Sequence, residues 1–234
     1  QNDTYQAKKY YEKSEKLKTS KYCGYSKYEL AKILYNDNQL NDAERKLSSY
    51  NKLSKKPIEQ NKIDFLLGII YARQGQDSGI EYGYESYESS IKEFEKLSSV
   101  FKSKLKHNEK KDYHKWLGIS YDEIDQNRKA ISEYQFYRQY EETNNYMNLR
   151  LAHVQVEVEE YEDAIINYAL IISTNTGYYM SEEVKSAYKG RGDAKRQAGY
   201  SSKEYCSDYE ESNDNYIYTE WCAIKPVKEL YEYF

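Results

Sequence analysis

The residues of this chain best equipped for chemistry are three cysteines, Cys23, Cys206 and Cys222, and three histidines, His107, His114 and His153. Zinc needs such side chains in close pairs, and none of these has a Cys or His neighbour at ligand spacing, so no metal site is expected. His107 lies in a lysine-rich stretch and reads as solvated, and His153 reads as a hydrogen-bonding group rather than a catalyst. Gly190-Arg191-Gly192 is the nearest approach to a phosphate-binding glycine loop. It sits inside a helical pattern with no strand before it, which removes the context that chemistry requires. Glu159-Glu160 reads as an ordinary turn. No nucleophile elbow appears, and no cofactor is implied. The cysteines carry the one chemical question left open. If the helix after Tyr200 and the tail form a hairpin turning near Asp214, Cys206 and Cys222 sit at the same level. Helix axes lie about 8–10 Å apart and a disulfide needs Cα atoms within about 7 Å, so the bridge requires close approach. Three buried free thiols would suit a reducing compartment, and a 206–222 bridge an oxidising one. Cys23 is far away in sequence and is expected to stay a thiol.

The elements that must position these residues show a recurring pattern of small and large side chains. Leu117-Gly118, Tyr121, Ala130 and Tyr134 form one instance, and Leu67-Gly68, Tyr71, Ser90 and Phe94 another with extra residues inserted. Leu151-Ala152, Ala164 and Tyr168 give a third, and Leu30-Ala31, Ala43 and Leu47 a fourth. Ala31, Gly68, Gly118, Ala152 and Gly192 keep one register, with Gly118 expected to meet the following helix near Ala130. Small residues stand where two helices touch and large ones fill the space beside them. A first helix runs from Asp3 or Thr4 to about Leu17, with Ala7, Tyr11 and Ser14 matching the second helix of a unit. The sequence thus reads as beginning mid-repeat. Asn36-Asp37-Asn38 makes the next turn, and Pro57 lies between units. Asn61 to Arg73 is expected to be broken by Gly75-Gln76-Asp77-Ser78-Gly79, with the following helix starting near Tyr82 and running on to Leu105. Tyr113 to Tyr140, Asn144 to Ser173, and Glu182 to Ser212 complete the series. No linker or composition shift marks a second domain before residue 214. The tail from 215 to 234 is rich in aromatics, with Tyr216, Tyr218, Trp221, Tyr231, Tyr233 and Phe234, and reads as a cap or a docking segment.

These landmarks resemble the tetratricopeptide repeat, a helix–turn–helix unit of about 34 residues. The resemblance covers nearly the whole chain and implies an all-α fold, a right-handed α-solenoid of about five to six helix pairs over 1–214 with a C-terminal cap. The last unit, with Arg191-Gly192-Asp193-Ala194-Lys195 and Tyr205-Cys206-Ser207-Asp208-Tyr209, resembles the closing repeat of Bacteroidetes-type bacterial envelope or secreted tetratricopeptide proteins. The resemblance implies a non-catalytic scaffold that binds a protein or peptide. The first, or A, helices of the repeats should line a concave groove with Tyr25, Tyr28, Lys32, Tyr35, Phe65, Ile69, Arg73, Lys115, Ile119, Tyr146, Leu149, His153, Lys189 and Arg196. Such a mixture suits an extended peptide or a partner helix. The clamp by which chaperone-binding repeats hold a terminal carboxylate is missing. Its positions carry Tyr28, Lys32, Leu66, Asp112 and Trp116, and Asp112 would repel a carboxylate.

Composition agrees with a charged helical surface. Of 234 residues, 32% are charged, the net charge is only -4, and 30 Tyr stand against 5 Phe and 2 Trp. Tyr therefore fills packing slots where other repeats use Leu or Phe, and it also offers contact area at low entropic cost. No basic tract calls for nucleic acid. No apolar run approaches the roughly 20 residues of a membrane span, and mean hydropathy is -1.05. Nothing sets an oligomeric state. A periplasmic, outer-membrane-associated or secreted location is expected; a cytosolic adaptor or assembly factor, or the accessory repeat domain of a larger enzyme, is the alternative.

Overall fold

A computed structural model describes residues 2–17, 22–53, 58–174, 180–212 and 221–222. Pro57, Pro226 and the tail aromatics other than Trp221 lie outside them. The described residues form helices and turns, with no strand among them. The helices are α1 (Asn2–Lys16), α2 (Cys23–Asn36), α3 (Leu40–Tyr50), α4 (Gln60–Ser78), α5 (Ile80–Glu95), α6 (Ser99–Lys104), α7 (His107–Asp122), α8 (Asn127–Arg138), α9 (Asn145–Glu157), α10 (Tyr161–Ser173), α11 (Glu182–Gln197) and α12 (Ser202–Glu211). They fall into two compact units, Gln1–Tyr140 and Glu141–Phe234. The sequence shows no sign of this division, because the turn after α8 carries neither proline nor glycine.

In the first unit α2 packs on α3, α4 on α5 and α7 on α8; in the second α9 packs on α10 and α11 on α12. The turn is built alike in four of these five pairs, and in all five it carries a positive φ. One residue takes a left-handed backbone: Asn38 at φ 59°, Gly79 at 72°, Asp125 at 59°, Glu159 at 65° and Gly199 at 85°. Beyond it, in four of the five turns, an N–H reaches back over the helix end. Gln39 donates to Leu34 O, Gln126 to Tyr121 O and Glu160 to Gln155 O at 2.8 Å, and Tyr200 to Lys195 O at 2.9 Å. These bonds satisfy carbonyls that a helix end otherwise leaves open.

Small residues let the paired helices approach. A Cβ at Gly118 would come within 2.8 Å of the Tyr134 ring, and one at Gly192 within 2.6 Å of the Tyr209 ring. The partner of Gly118 is thus Tyr134, one helical turn beyond Ala130. The α4–α5 pair departs from expectation. The helix runs straight through Gly75 and ends only at Gly79, and the next begins at Ile80 and stops at Glu95. A Cβ at Gly83 would lie 2.7 Å from the Gly75 carbonyl oxygen, and one at Gly75 would lie 2.8 Å from the Tyr87 ring. The two glycines bring the backbones together, so the inserted residues lengthen both helices instead of forming a loop. Residues 99–104 form the separate α6, capped by Ser98 Oγ, which accepts from Phe101 N at 3.2 Å.

The first unit buries Ala31, Leu34, Leu40, Ala43, Leu47, Tyr50, Ile63, Leu66, Leu67 and Ile70 in one cluster. The second buries Ala152, Ala164, Tyr168, Ile171, Val184, Ala187 and Ala194.

Candidate functional site

The site residues expected from sequence sit on α2, α4 and α7 in the first unit and on α9 and α11 in the second. On α2, Tyr25 is 46% exposed and meets Tyr11 of α1 edge-on at 6.4 Å. Tyr28 and Tyr35 are half-buried. Lys32 lies over the Tyr28 ring at 5.5 Å and pairs with Glu29 at 3.2 Å. Arg73 reaches from α4 to lie over Tyr35 at 4.8 Å and to donate to Asn38 Oδ1. Burial pushes the Tyr28 phenol up to about 12, helped by the carboxylates of Glu29 and of Glu109 on α7.

Other expected groove residues are not offered to solvent. Ile69 and Ile119 are 4% and 1% exposed and belong to the core. Phe65 packs edge-on against Phe94 and Phe101, both at 6.2 Å. Leu149 packs on the core of the second unit. Apolar side chains at these positions follow the hydrophobic effect inward, which a register alone does not foretell. Lys115 is half-buried with its ammonium 4.7 Å from the Trp116 ring.

In the second unit Tyr146 is 40% exposed. Arg150, which register did not single out, stacks on its ring at 5.9 Å and donates to its hydroxyl at 3.1 Å. His153 and Lys189 are brought together, as exposed residues lining a pocket of about 380 Å³ with Glu157, Tyr168, Ser186 and Asp193. The His153 ring lies 5.7 Å from the ring of Tyr168. Arg196 is engaged within its own unit. Its guanidinium lies 4.4 Å from the Trp221 ring, and its Nε donates to the Tyr209 hydroxyl at 3.3 Å.

Cys206 and Cys222 are joined by a disulfide with Cα atoms 5.5 Å apart. This bridge holds Trp221 at the level of Arg196. Cys23 is a buried free thiol. His107 is exposed at the start of α7, edge-on to Tyr140 at 5.2 Å. His114 contacts Glu133 Oε2 through Nδ1 at 2.7 Å and stacks on Phe136 at 5.1 Å, which is a packing role. A polar cleft of about 470 Å³, lined by residues such as Glu44, Tyr71, Asp77 and Glu85, went unforeseen because it is created by the extra turns of α4 and α5. Among the described residues no group of three or more His, Cys, Asp or Glu could hold a metal ion, and no helix is long and apolar enough to cross a membrane.

The paired helices with their repeated turns find counterparts among solved structures. YrrB, a TPR protein with an unusual peptide-binding site, superposes with a TM-score of 0.64 at 14% identity, over 90% of this chain and 95% of that one. The fold is that of a tetratricopeptide-repeat solenoid. MamA matches with a TM-score of 0.60 at 16% identity, over 88% of this chain and 98% of that one. BtubC from P. vanneervenii matches at 0.51 and 12% identity, over 89% and 87%. No protein-family model matches the sequence, and no curated protein matches it.

Proposed function

We propose that the chain is a non-catalytic protein-interaction scaffold that binds an extended peptide or a helix of a partner protein along the faces of its A helices. One observation carries this reading. Tyr25 and Tyr146 stand 46% and 40% exposed on α2 and α9, while Lys32, Arg73 and Arg150 lie against tyrosine rings on these A helices. Rigid aromatic faces set beside cations are the side chains that carry much of the energy in protein interfaces. The peptide-binding site of the similarly folded YrrB agrees with this use of the fold. The proposal includes a bacterial cell-envelope or secreted location, periplasmic or outer-membrane-associated, supported by the Cys206–Cys222 disulfide, since such bridges persist in oxidising compartments. A cytosolic adaptor or assembly factor, or an accessory domain of an enzyme, is the second reading, and the buried free thiol of Cys23 favours it.

Selection of a displayed random-peptide library on the protein tests the binding reading. Tyr28→Ala or Tyr146→Ala should weaken a selected peptide about tenfold or more, with helix content kept. Tyr84→Ala, on an exposed tyrosine of α5, should leave it unchanged. Equal losses from all three, or a loss from Tyr84→Ala alone, would refute the proposal.

A further inference from the structure

On α2 and α9 a cation lies against an accessible tyrosine of the helix itself, Lys32 over Tyr28 and Arg150 over Tyr146. Helix α11 offers no exposed ring of its own. Its one aromatic residue, Tyr188, is half-buried against the core of the second unit, and the Arg191 over that ring is held by Asp208. Its pocket-facing stripe carries Lys189 and Asp193. Arg196 follows at the next turn, in the i, i+4, i+7 series that keeps to one side of a helix. The ring set against Arg196 comes from elsewhere in the chain. Trp221 lies 4.4 Å from its guanidinium, and it is 46% exposed, as open as Tyr25 and Tyr146.

Trp221 is held there by its neighbour. Cys222 is bonded to Cys206 of α12, so the indole sits beside a covalent anchor. A side chain fixed in this way has little freedom left to lose when a partner covers it, and such pre-organisation favours binding. A residue serving only to cap the last helices would hide its indole, whereas nearly half of Trp221 is left open. The chemistry of that open surface selects its occupant. Arg196 covers one face of the ring and leaves the opposite face and the edges. A further cation would be repelled by Arg196 and Lys189, and a carboxylate laid on the ring would meet its negative π-face. An apolar side chain meets neither obstacle.

We propose that Trp221 is a partner-binding residue, added to the face of α9 and α11 by the Cys206–Cys222 bridge, and that its open ring receives a large apolar side chain of the bound segment. The bridge then serves binding as well as stability, because it sets the position of the indole. This inference rests on the A-helix faces being the working surface.

Tryptophan-free peptides selected from the displayed library test it in two ways. The chain has two tryptophans, and Trp116 is only 8% exposed, so iodide quenches mainly Trp221. A saturating peptide should lower the tryptophan quenching constant by about twofold or more, as expected when an exposed ring is covered. Affinities give the second test. Trp221→Ala should weaken the peptide about tenfold, with helix content and amide exchange in α12 unchanged, and Trp221→Phe should keep most of the affinity. Replacing one large apolar residue of the peptide by alanine should cost as much, and should cost nothing further in the Trp221→Ala variant. Dithiothreitol, or Cys222→Ser, should weaken the peptide about fivefold, and less than about twofold in the Trp221→Ala variant, since only a tethered indole is pre-organised. Unchanged iodide quenching with every selected peptide would overturn the inference. A peptide weakened by Tyr146→Ala but not by Trp221→Ala would also overturn it and leave the binding reading standing. Loss with Trp221→Ala but with neither Tyr28→Ala nor Tyr146→Ala would show that the tail docks partners by itself, which overturns both.

Discussion

The α7–α8 hairpin of the first unit and the α11–α12 hairpin of the second start from one plan. In each, a glycine of the first helix lies against a tyrosine ring of the second, Gly118 on Tyr134 and Gly192 on Tyr209. In each, that tyrosine donates to an aspartate of the first helix. They differ in what is added. The α7–α8 pair relies on apolar burial, with Ala130, Ile131, Tyr134 and Tyr137 on α8 all at most 6% exposed. On α12 only Asp208 and Tyr209 are buried. That helix is held instead by polar and covalent clamps. The Asp208 side chain, 2% exposed, meets Lys195 at 2.8 Å and also Arg191, and Cys206 is bridged to Cys222. A helix with little apolar surface to bury must be fixed by directional contacts, and these fail under different conditions from the hydrophobic ones.

Alkali should act on both units and most strongly. Burial first, then neighbouring carboxylates, raises the phenols of Tyr28 and Tyr71 to about 12, and burial also pushes those of Tyr113 and Tyr168 up. Below pH 10, the ordinary value, both folded and unfolded chains keep these protons and stability is unaffected. Above it the unfolded chain ionises first, so stability should fall steadily from pH 10 toward 12. Phenolate absorbance should then rise together with loss of helix; titration of these tyrosines in a fully helical chain would contradict the burial described.

The clamps separate the hairpins. Asp208→Ala leaves Arg191 and Lys195 facing each other without their anion, and should cost about 3–5 kcal/mol, the usual penalty for breaking a buried ion pair from one side. Reduction of the disulfide, or Cys222→Ser, removes about 3 kcal/mol at most for a loop this short. Its effect should appear as faster amide exchange in α12 with α7 and α8 unchanged. Gly118→Leu overpacks the Tyr134 ring and should cost roughly 1–3 kcal/mol, read as a lower Tm. An unchanged Tm would mean that the two helices do not touch where the structure places them. The smallest effect concerns a turn. Glu159 holds φ 65° where its counterpart in the last hairpin is Gly199, so Glu159→Gly should stabilise by up to about 1 kcal/mol.

Much of this was legible in the residues. Small positions announce themselves because only Gly or Ala admits a ring at van der Waals distance, so Ala31, Gly118, Ala152 and Gly192 mark each first helix. Counting residues from a supposed turn near Asp214 set Cys206 and Cys222 at one level, and the bridge joins them, while the turn itself lies outside the described residues. Other features depend on what lies opposite. Gly75 looks like a breaker until Gly83 is seen against it. Phe65, Ile69, Leu149 and Ile119 share a register with Tyr25 and Tyr146, yet apolar side chains turn inward where neighbouring helices cover them.

The central claim is that the A-helix faces bind the partner. Hydroxyl-radical footprinting of the protein with a library-selected peptide tests it most directly, because the side chains in question react readily with the radical. Protection is expected at Tyr25 and Tyr28 on α2, or at Tyr146 and His153 on α9, with Tyr10, Tyr84 and Phe136 as reactive as in the free protein. Protection confined to Tyr10, Tyr84, Phe136 or Trp221 would contradict it.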